Sequence, residues 1–480
     1  MRSQVRSAVL LFAAASLVYL ASAPAVPYSH DTTANAQVAV SLLRDGDPVF
    51  TAREAPLLFI WAEKRGEASV PVTVQSWTQP AAQGTYGDAY RSGRLVLVAP
   101  RYFVVPTTQQ RGGEPLFASA FGPAAGLTAV PAALAAAALG AELEDPFVMF
   151  RAAGVTAALL TAASVAAVFL AALAFLSARR AALLAALYAF GTCVWTLSSQ
   201  ALWQQTAEIF FLSLGVLCFV RGQGAWTRGA LAGLAFAAAA ACRPTAAVVA
   251  LAAAADLAWA HRRALLAYGA AALPVALAVL AYNLYYFGAP LDFGQLAAGA
   301  AVAQWKTGSP EVWQTPLWLG AAGLLASPAR GLLVYSPFLA AAFVGAALAW
   351  RDERYAALRF LGVAVPLLWL PAFAWFDWWG GWTYGYRPIV DSAPLLAVLC
   401  IPALAALRRP AAKAAFAAAA GWSLFVQVLG ATLYAPDGWN AQRRDGTPAN
   451  IDLAEHRARL WSFRDWQIGD LIAQLAEGRR

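Results

Sequence analysis

Four stretches of this sequence carry side chains that could do chemistry. The first is Pro27-Tyr28-Ser29-His30-Asp31-Thr32-Thr33, just beyond an apolar run at 7–25. A carboxylate half-sheltered at the edge of an apolar segment can act as a general base, which suits Asp31, with His30 beside it as a substrate contact. The alternative for Asp31 is a helix N-cap ahead of Thr-Thr-Ala-Asn-Ala. The second stretch runs from Trp195 to Glu208 and places Glu208 near the top of the next apolar run. Ionisable groups at that depth are costly and often functional; the competing reading is an aromatic belt with a few loop polars. The third is Cys242-Arg243-Pro244-Thr245, a corner whose arginine could hold a phosphate or carboxylate, or reach to lipid headgroups. The fourth and densest is Trp375-Phe376-Asp377-Trp378-Trp379-Gly380-Gly381-Trp382-Thr383-Tyr384-Gly385-Tyr386-Arg387-Pro388-Ile389-Val390-Asp391. Rings such as Trp379, Trp382 and Tyr384 can stack on a sugar or a prenyl chain. Arg387 offers a planar fork to a phosphate, and Asp391 can orient it. An aromatic belt alone would not need Gly-Gly, Arg and Asp together.

The composition says what elements must hold these side chains. Of 480 residues, 60% are hydrophobic and 12% charged, against about 25% charged in a soluble domain. So few charges cannot cover the surface of a soluble enzyme, and they exclude a disordered chain. The expected fold class is an all-α polytopic membrane protein. The formal net charge of +8 does not point to nucleic acid, because most arginines stand in pairs between apolar runs, the pattern of topology signals. Cys193, Cys218, Cys242 and Cys400 lie in or beside apolar runs without zinc or disulfide spacing, and read as small apolar fillers.

Apolar runs recur along the chain, each near the roughly 20 residues that cross a bilayer. The run at 7–25 reads as a retained anchor rather than a cleaved signal, although Ala21-Ser22-Ala23 resembles a cleavage site. Residues 27–114 form a polar loop expected to hold short helices and a small β-hairpin around Arg94-Leu95-Val96-Leu97-Val98. The segment 115–140 contains Gly122, Pro123, Gly126 and Pro131 and reads as re-entrant or interfacial. If it does not cross, Arg2, Arg6, Arg179, Arg180, Arg221, Arg228, Arg262, Arg263, Arg351, Arg354, Arg359, Arg408, Arg409 and Lys413 share the cytoplasmic side. That gives about 11 spans, an inside N-terminus and an external first loop. The tail 435–480, external by the same count, carries a pattern suited to an amphipathic helix on the membrane surface.

The order of these features resembles the GT-C fold glycosyltransferases that use polyprenyl-phosphate sugars, a group that includes protein O-mannosyltransferases and lipid A aminoarabinose transferases (family-39-like). The resemblance covers roughly residues 5–435. It rests on an acidic residue after the first span, a long external loop, and Pro115-Leu116-Phe117-Ala118-Ser119-Ala120-Phe121-Gly122-Pro123. It continues through the Arg243-Pro244 corner, Tyr282-Asn283 to Gly294, Tyr335-Ser336-Pro337, and the Trp-Gly-Gly-Trp-x-Tyr-Gly-x-Arg-Pro run. It implies a bacterial inner-membrane inverting glycosyltransferase with its site on the external face. The donor would be a polyprenyl-phosphate-linked sugar and the acceptor a protein, lipid or glycan. It makes Asp31 the base, with Glu208 as the one acid available for a second carboxylate. Arg243 and Arg387 would hold the lipid phosphate. The sequence departs from the family where His30-Asp31 replaces an acidic pair and Trp203-Gln204-Gln205 stands where many members carry Asp. The resemblance allows a divalent metal without requiring one. The rival functions are a lipid-linked saccharide transporter or flippase, and a GT-C-like membrane subunit without activity.

Overall fold

The computed structural model describes residues 2–24, 29–101, 103–222 and 224–478. The chain is 65% helical. Among the described residues, six helices are long and apolar enough to cross a membrane: Gln4–Ala21, Pro146–Ala172, Arg262–Phe287, Glu353–Ala374, Arg387–Ala406 and Pro410–Leu433. Shorter apolar helices lie at Trp226–Cys242, Pro244–Trp259, Leu317–Ala326 and Pro337–Arg351. Pro244 and Pro337 each open such a helix with a 3-10 turn, where a missing N–H leaves no bond unmade.

Burial sorts the helices into layers. Of the Arg387–Ala406 span 83% is buried, and of Arg262–Phe287 only 17%. The first is therefore central and the second peripheral. Leu10, Leu17, Leu266, Leu273 and Leu277 stand exposed on the outer helices. So much bare apolar surface is unsuited to water and suits lipid. The first helix is part of the bundle, because Tyr19 is fully buried and its hydroxyl donates to Ala189 O at 3.0 Å.

The all-α expectation holds for the bundle and needs correction in the first loop. Among the described residues there, five strands form: β1 (Phe59–Arg65), β2 (Ala68–Val72), β3 (Leu95–Pro100), β4 (Val104–Arg111) and β5 (Glu114–Ser119). They make an antiparallel sheet of order β2-β1-β3 and a β4–β5 hairpin. Phe50, Phe59, Trp61 and Phe117 are buried in the core of this domain. Arg111 clasps Asp47 at 2.7 Å and Glu54 at 2.9 Å. Strand β5 thus draws Leu116 and Phe117, the start of an apolar run, out of any membrane helix.

The rest of that run is broken into Ala124–Leu127 and Val130–Ala138. The second piece spans about 13 Å at 1.5 Å per residue, too short to cross. The tail helix is Gln467–Ala476. Its buried face, Gln467, Ile468 and Leu471, packs on the protein, while Trp461, Phe463 and Leu475 stay exposed. Trp466 stacks on Trp422 of the Pro410–Leu433 helix.

Candidate functional site

The segment that follows the first helix brings Asp31 to one end of the bundle in a 3-10 turn, His30–Thr32. Arg387 arrives there from 356 positions away, at the start of the turn Arg387–Ser392. Its Nη2 lies 2.6 Å from Asp31 Oδ2, and both side chains are largely buried. Ser29 Oγ donates to the other oxygen, Asp31 Oδ1, at 3.0 Å. The guanidinium also lies over the Trp203 ring, 4.3 Å from its centroid, and its Nη1 donates to Gly380 O at 3.3 Å. Asp31 is thus not a helix cap: the cap position of the following helix is Thr32, and no side-chain cap bond forms there. The His30 side chain lies outside the described residues.

Four positions further along the same turn, Asp391 pairs with Arg243. Arg243 also donates to Pro388 O at 3.3 Å. Glu208 lies against this pair with no exposed surface. Sequence separated Glu208, Arg243 and Asp391; the fold gathers them. Among the described residues, no side-chain or backbone donor satisfies either carboxylate oxygen of Glu208, and Asp391 Oδ1, Arg243 Nε and Thr245 Oγ1 are likewise unsatisfied. The Arg387–Ser392 turn therefore carries both clusters, Asp31–Arg387 and Glu208–Arg243–Asp391. Its exit into the buried Arg387–Ala406 span holds it in place.

The aromatic run is packed rather than open. Trp379 is 2% exposed and its Nε1 donates to Asp452 Oδ1 at 3.1 Å. Trp382 is half-buried and donates to Asn450 Oδ1 at 3.0 Å. Tyr384 is fully buried, with its hydroxyl on Val426 O at 2.6 Å. These rings build the loop that presents Arg387. Gly385 lets it turn: its φ is +60°, and a Cβ there would lie 2.5 Å from Cys193 Sγ and 3.0 Å from the Tyr335 ring. From Tyr335-Ser336-Pro337, Ser336 Oγ meets Tyr386 OH at 2.9 Å.

Arg330 is fully buried and donates to Trp379 O, Gly381 O, Asn440 Oδ1 and Gln467 Oε1. Lys306 sits between Asp377, at 2.5 Å, and Asp452, at 2.8 Å. A signal for it existed, since the chain has lysine only at 64, 306 and 413. Nothing in the tail's pattern marked Asp452 or Gln467.

Beside this site lies an apolar cavity of about 490 Å³. Three of the segments that carried the resemblance line it: Phe121-Gly122-Pro123, Pro244, and Tyr282-Asn283 with Phe293-Gly294. Pro244 adjoins Arg243, and Arg243 bonds Pro388 O next to Arg387. The cavity wall is thus one residue from the charged turn. Among the described residues, no group of three or more His, Cys, Asp or Glu is placed to hold a metal ion.

Comparison of the chain with protein-family models and with curated proteins finds no match. The site itself offers a carboxylate and a guanidinium in contact, a second buried acid pair around Arg243, and an apolar cavity at the Pro244 corner.

Proposed function

We propose that this protein is a membrane glycosyltransferase of the GT-C type, taking a sugar from a polyprenyl-phosphate donor to an acceptor hydroxyl on the external face. The observation that carries the reading is the Asp31–Arg387 contact at 2.6 Å, on a turn that the Arg243–Pro244 corner links to the wall of an apolar cavity of about 490 Å³. An apolar cavity suits a prenyl chain, and a guanidinium suits the phosphate at its head. In this reading the chain crosses about 11 times, with its N-terminus inside and residues 27–114 outside, in a bacterial inner membrane.

The contact supplies a sequence of events. The arriving phosphate draws the Arg387 fork away from Asp31. The freed carboxylate accepts the proton of the acceptor hydroxyl while that oxygen bonds to the sugar C1. The C1–O bond to phosphate breaks with its electron pair, and polyprenyl phosphate leaves against Arg387. One displacement inverts the anomeric carbon. Glu208, Arg243 and Asp391 hold the turn from behind, and the aromatic run fixes its approach. The aromatic rings expected to stack on ligand are mostly committed to packing, so sugar recognition falls to groups near Asp31.

The test is transfer from a radiolabelled polyprenyl-phosphate sugar by purified protein in liposomes. Asp31→Asn keeps size but cannot accept the proton, and transfer should fall on the order of 100- to 10,000-fold. Wild-type transfer by the Asn variant would remove Asp31 from the mechanism. Glu208→Gln, run beside it, should keep far more activity, because Glu208 has no exposed surface. A dead Glu208→Gln with an active Asp31→Asn would move the base to Glu208. Labelled lipid that crosses the bilayer with its sugar still attached would instead favour a transporter.

A further inference from the structure

The tail reaches the site through a relay of contacts that nothing in its sequence pattern announces. Asp452 Oδ1 accepts from Trp379 Nε1 at 3.1 Å and from Lys306 Nζ at 2.8 Å. Lys306 Nζ also donates to Asp377 Oδ2 at 2.5 Å. The other oxygen, Asp377 Oδ1, accepts the Gly381 N–H at 3.0 Å. That N–H and the Gly380 carbonyl belong to one peptide unit, and a planar peptide points its two ends in opposite directions. Holding the N–H at Asp377 therefore aims the Gly380 carbonyl, which takes Arg387 Nη1 at 3.3 Å.

This peptide needs holding. Gly380 and Gly381 have φ of +71° and +66°, and two glycines in series can flip their shared peptide at little steric cost. The ion cluster is dry enough to matter: the Lys306, Asp377 and Asp452 side chains are 8%, 11% and 14% exposed. Removing the Lys306 charge leaves two buried carboxylates facing each other uncompensated, and neutralising Asp452 takes away one of the two anions that fix the ammonium.

We infer that Lys306 and Asp452 are positioning residues for Arg387, acting through Asp377 and the Gly380–Gly381 peptide, and that the C-terminal tail is a strap that sets the phosphate-binding fork. This rests on the transferase reading for its kinetic consequence, but not for its structural one. Lys306 ends the Gly294–Thr307 helix, whose first residues line the apolar cavity. The strap thus ties the tail, the aromatic loop and the cavity wall at one ammonium group.

The experiment compares wild type, Asp452→Asn, Lys306→Met, Lys306→Arg and the exposed tail variant Asp445→Asn as full-length protein in detergent. Amide hydrogen exchange across 378–387 is the first readout. Asp452→Asn and Lys306→Met should speed exchange there and leave the Pro146–Ala172 helix unchanged, while Lys306→Arg largely restores protection and Asp445→Asn changes nothing. The second readout is transfer kinetics, where KM for the polyprenyl-phosphate sugar should rise on the order of 10-fold with kcat nearly constant. Added to Arg387→Lys, Asp452→Asn should cost little more, because the two act on one contact. Should Asp452→Asn fail to accumulate, Asp452→Glu carries the same comparison with a smaller shift. Unchanged exchange at 378–387 in both variants, or acceleration spread evenly over the bundle, overturns the strap. If wild type transfers no sugar while exchange at 378–387 responds as stated, the strap stands and the transferase reading falls.

Discussion

Arg387 touches three groups, Asp31, the Trp203 face and Gly380 O, and the carbonyl of its neighbour Pro388 accepts from Arg243. A planar fork can serve a carboxylate and a carbonyl at once; an ammonium on a flexible stem cannot reproduce that geometry. Arg387→Lys should therefore keep the charge and weaken donor binding. The loss of one charge-assisted bond of about 1.5–3 kcal/mol corresponds to roughly 10- to 100-fold in donor KM. Steady-state kinetics with varied donor would measure it, and an unmoved KM would return Arg387 to a packing role. The residue types at this site were readable in the chain: Asp31, Arg387, Glu208, Arg243 and Asp391 all stood out as ionisable groups at the edges of apolar runs. Their pairing was not, because an ion pair across 356 positions leaves no local periodicity to read. Trp379 and Tyr384 show the converse. An aromatic ring next to glycine looks the same in sequence whether its face is open or packed, and here Tyr384 is fully buried.

At the scale of elements, the loop Trp375–Tyr386 depends on backbone that only glycine adopts comfortably. Gly385 combines a φ of +60° with side-chain atoms where its Cβ would be. Left-handed backbone alone costs an L-residue about 1–2 kcal/mol, and the crowding at Cys193 adds to it. Gly385→Ala should lower the melting temperature of the detergent-solubilised protein and loosen Arg387, reducing transfer more than stability. A variant as stable and active as wild type would mean the loop can shift without consequence. Element boundaries in the sequence failed where two signals conflicted. The apolar run in 115–140 reads as a re-entrant or interfacial segment, yet Leu116 and Phe117 belong to β5. Alternation over a few residues and a short apolar run cannot be told apart without the partner strand, here β4, joined by the bridge Phe50–Phe117.

For the whole molecule, the prediction is topological. Exposed tryptophans stand at two sets of helix ends: Trp226, Trp259 and Trp350 beside Arg228, Arg262 and Arg351, and Trp305, Trp313 and Trp318 near the site. Two aromatic belts are what a bilayer slab selects. Reporter fusions after residues 110, 180, 262 and 352 should read outside, inside, inside and inside. An inside signal after 110 would put the β domain and Asp31 on the wrong face for an external donor. The sequence by itself determined that this is a helical chain for an apolar solvent, since composition and run length follow from what lipid tolerates residue by residue. It also determined which ionisable residues were costly enough to need a reason. Only the tertiary structure decided that Asp31 meets Arg387, that Glu208 joins Arg243 and Asp391, and that the tail clasps the aromatic loop. Those contacts are made by side chains of ordinary type at long separation, and their energy exists only once the helices have packed and excluded solvent from between them.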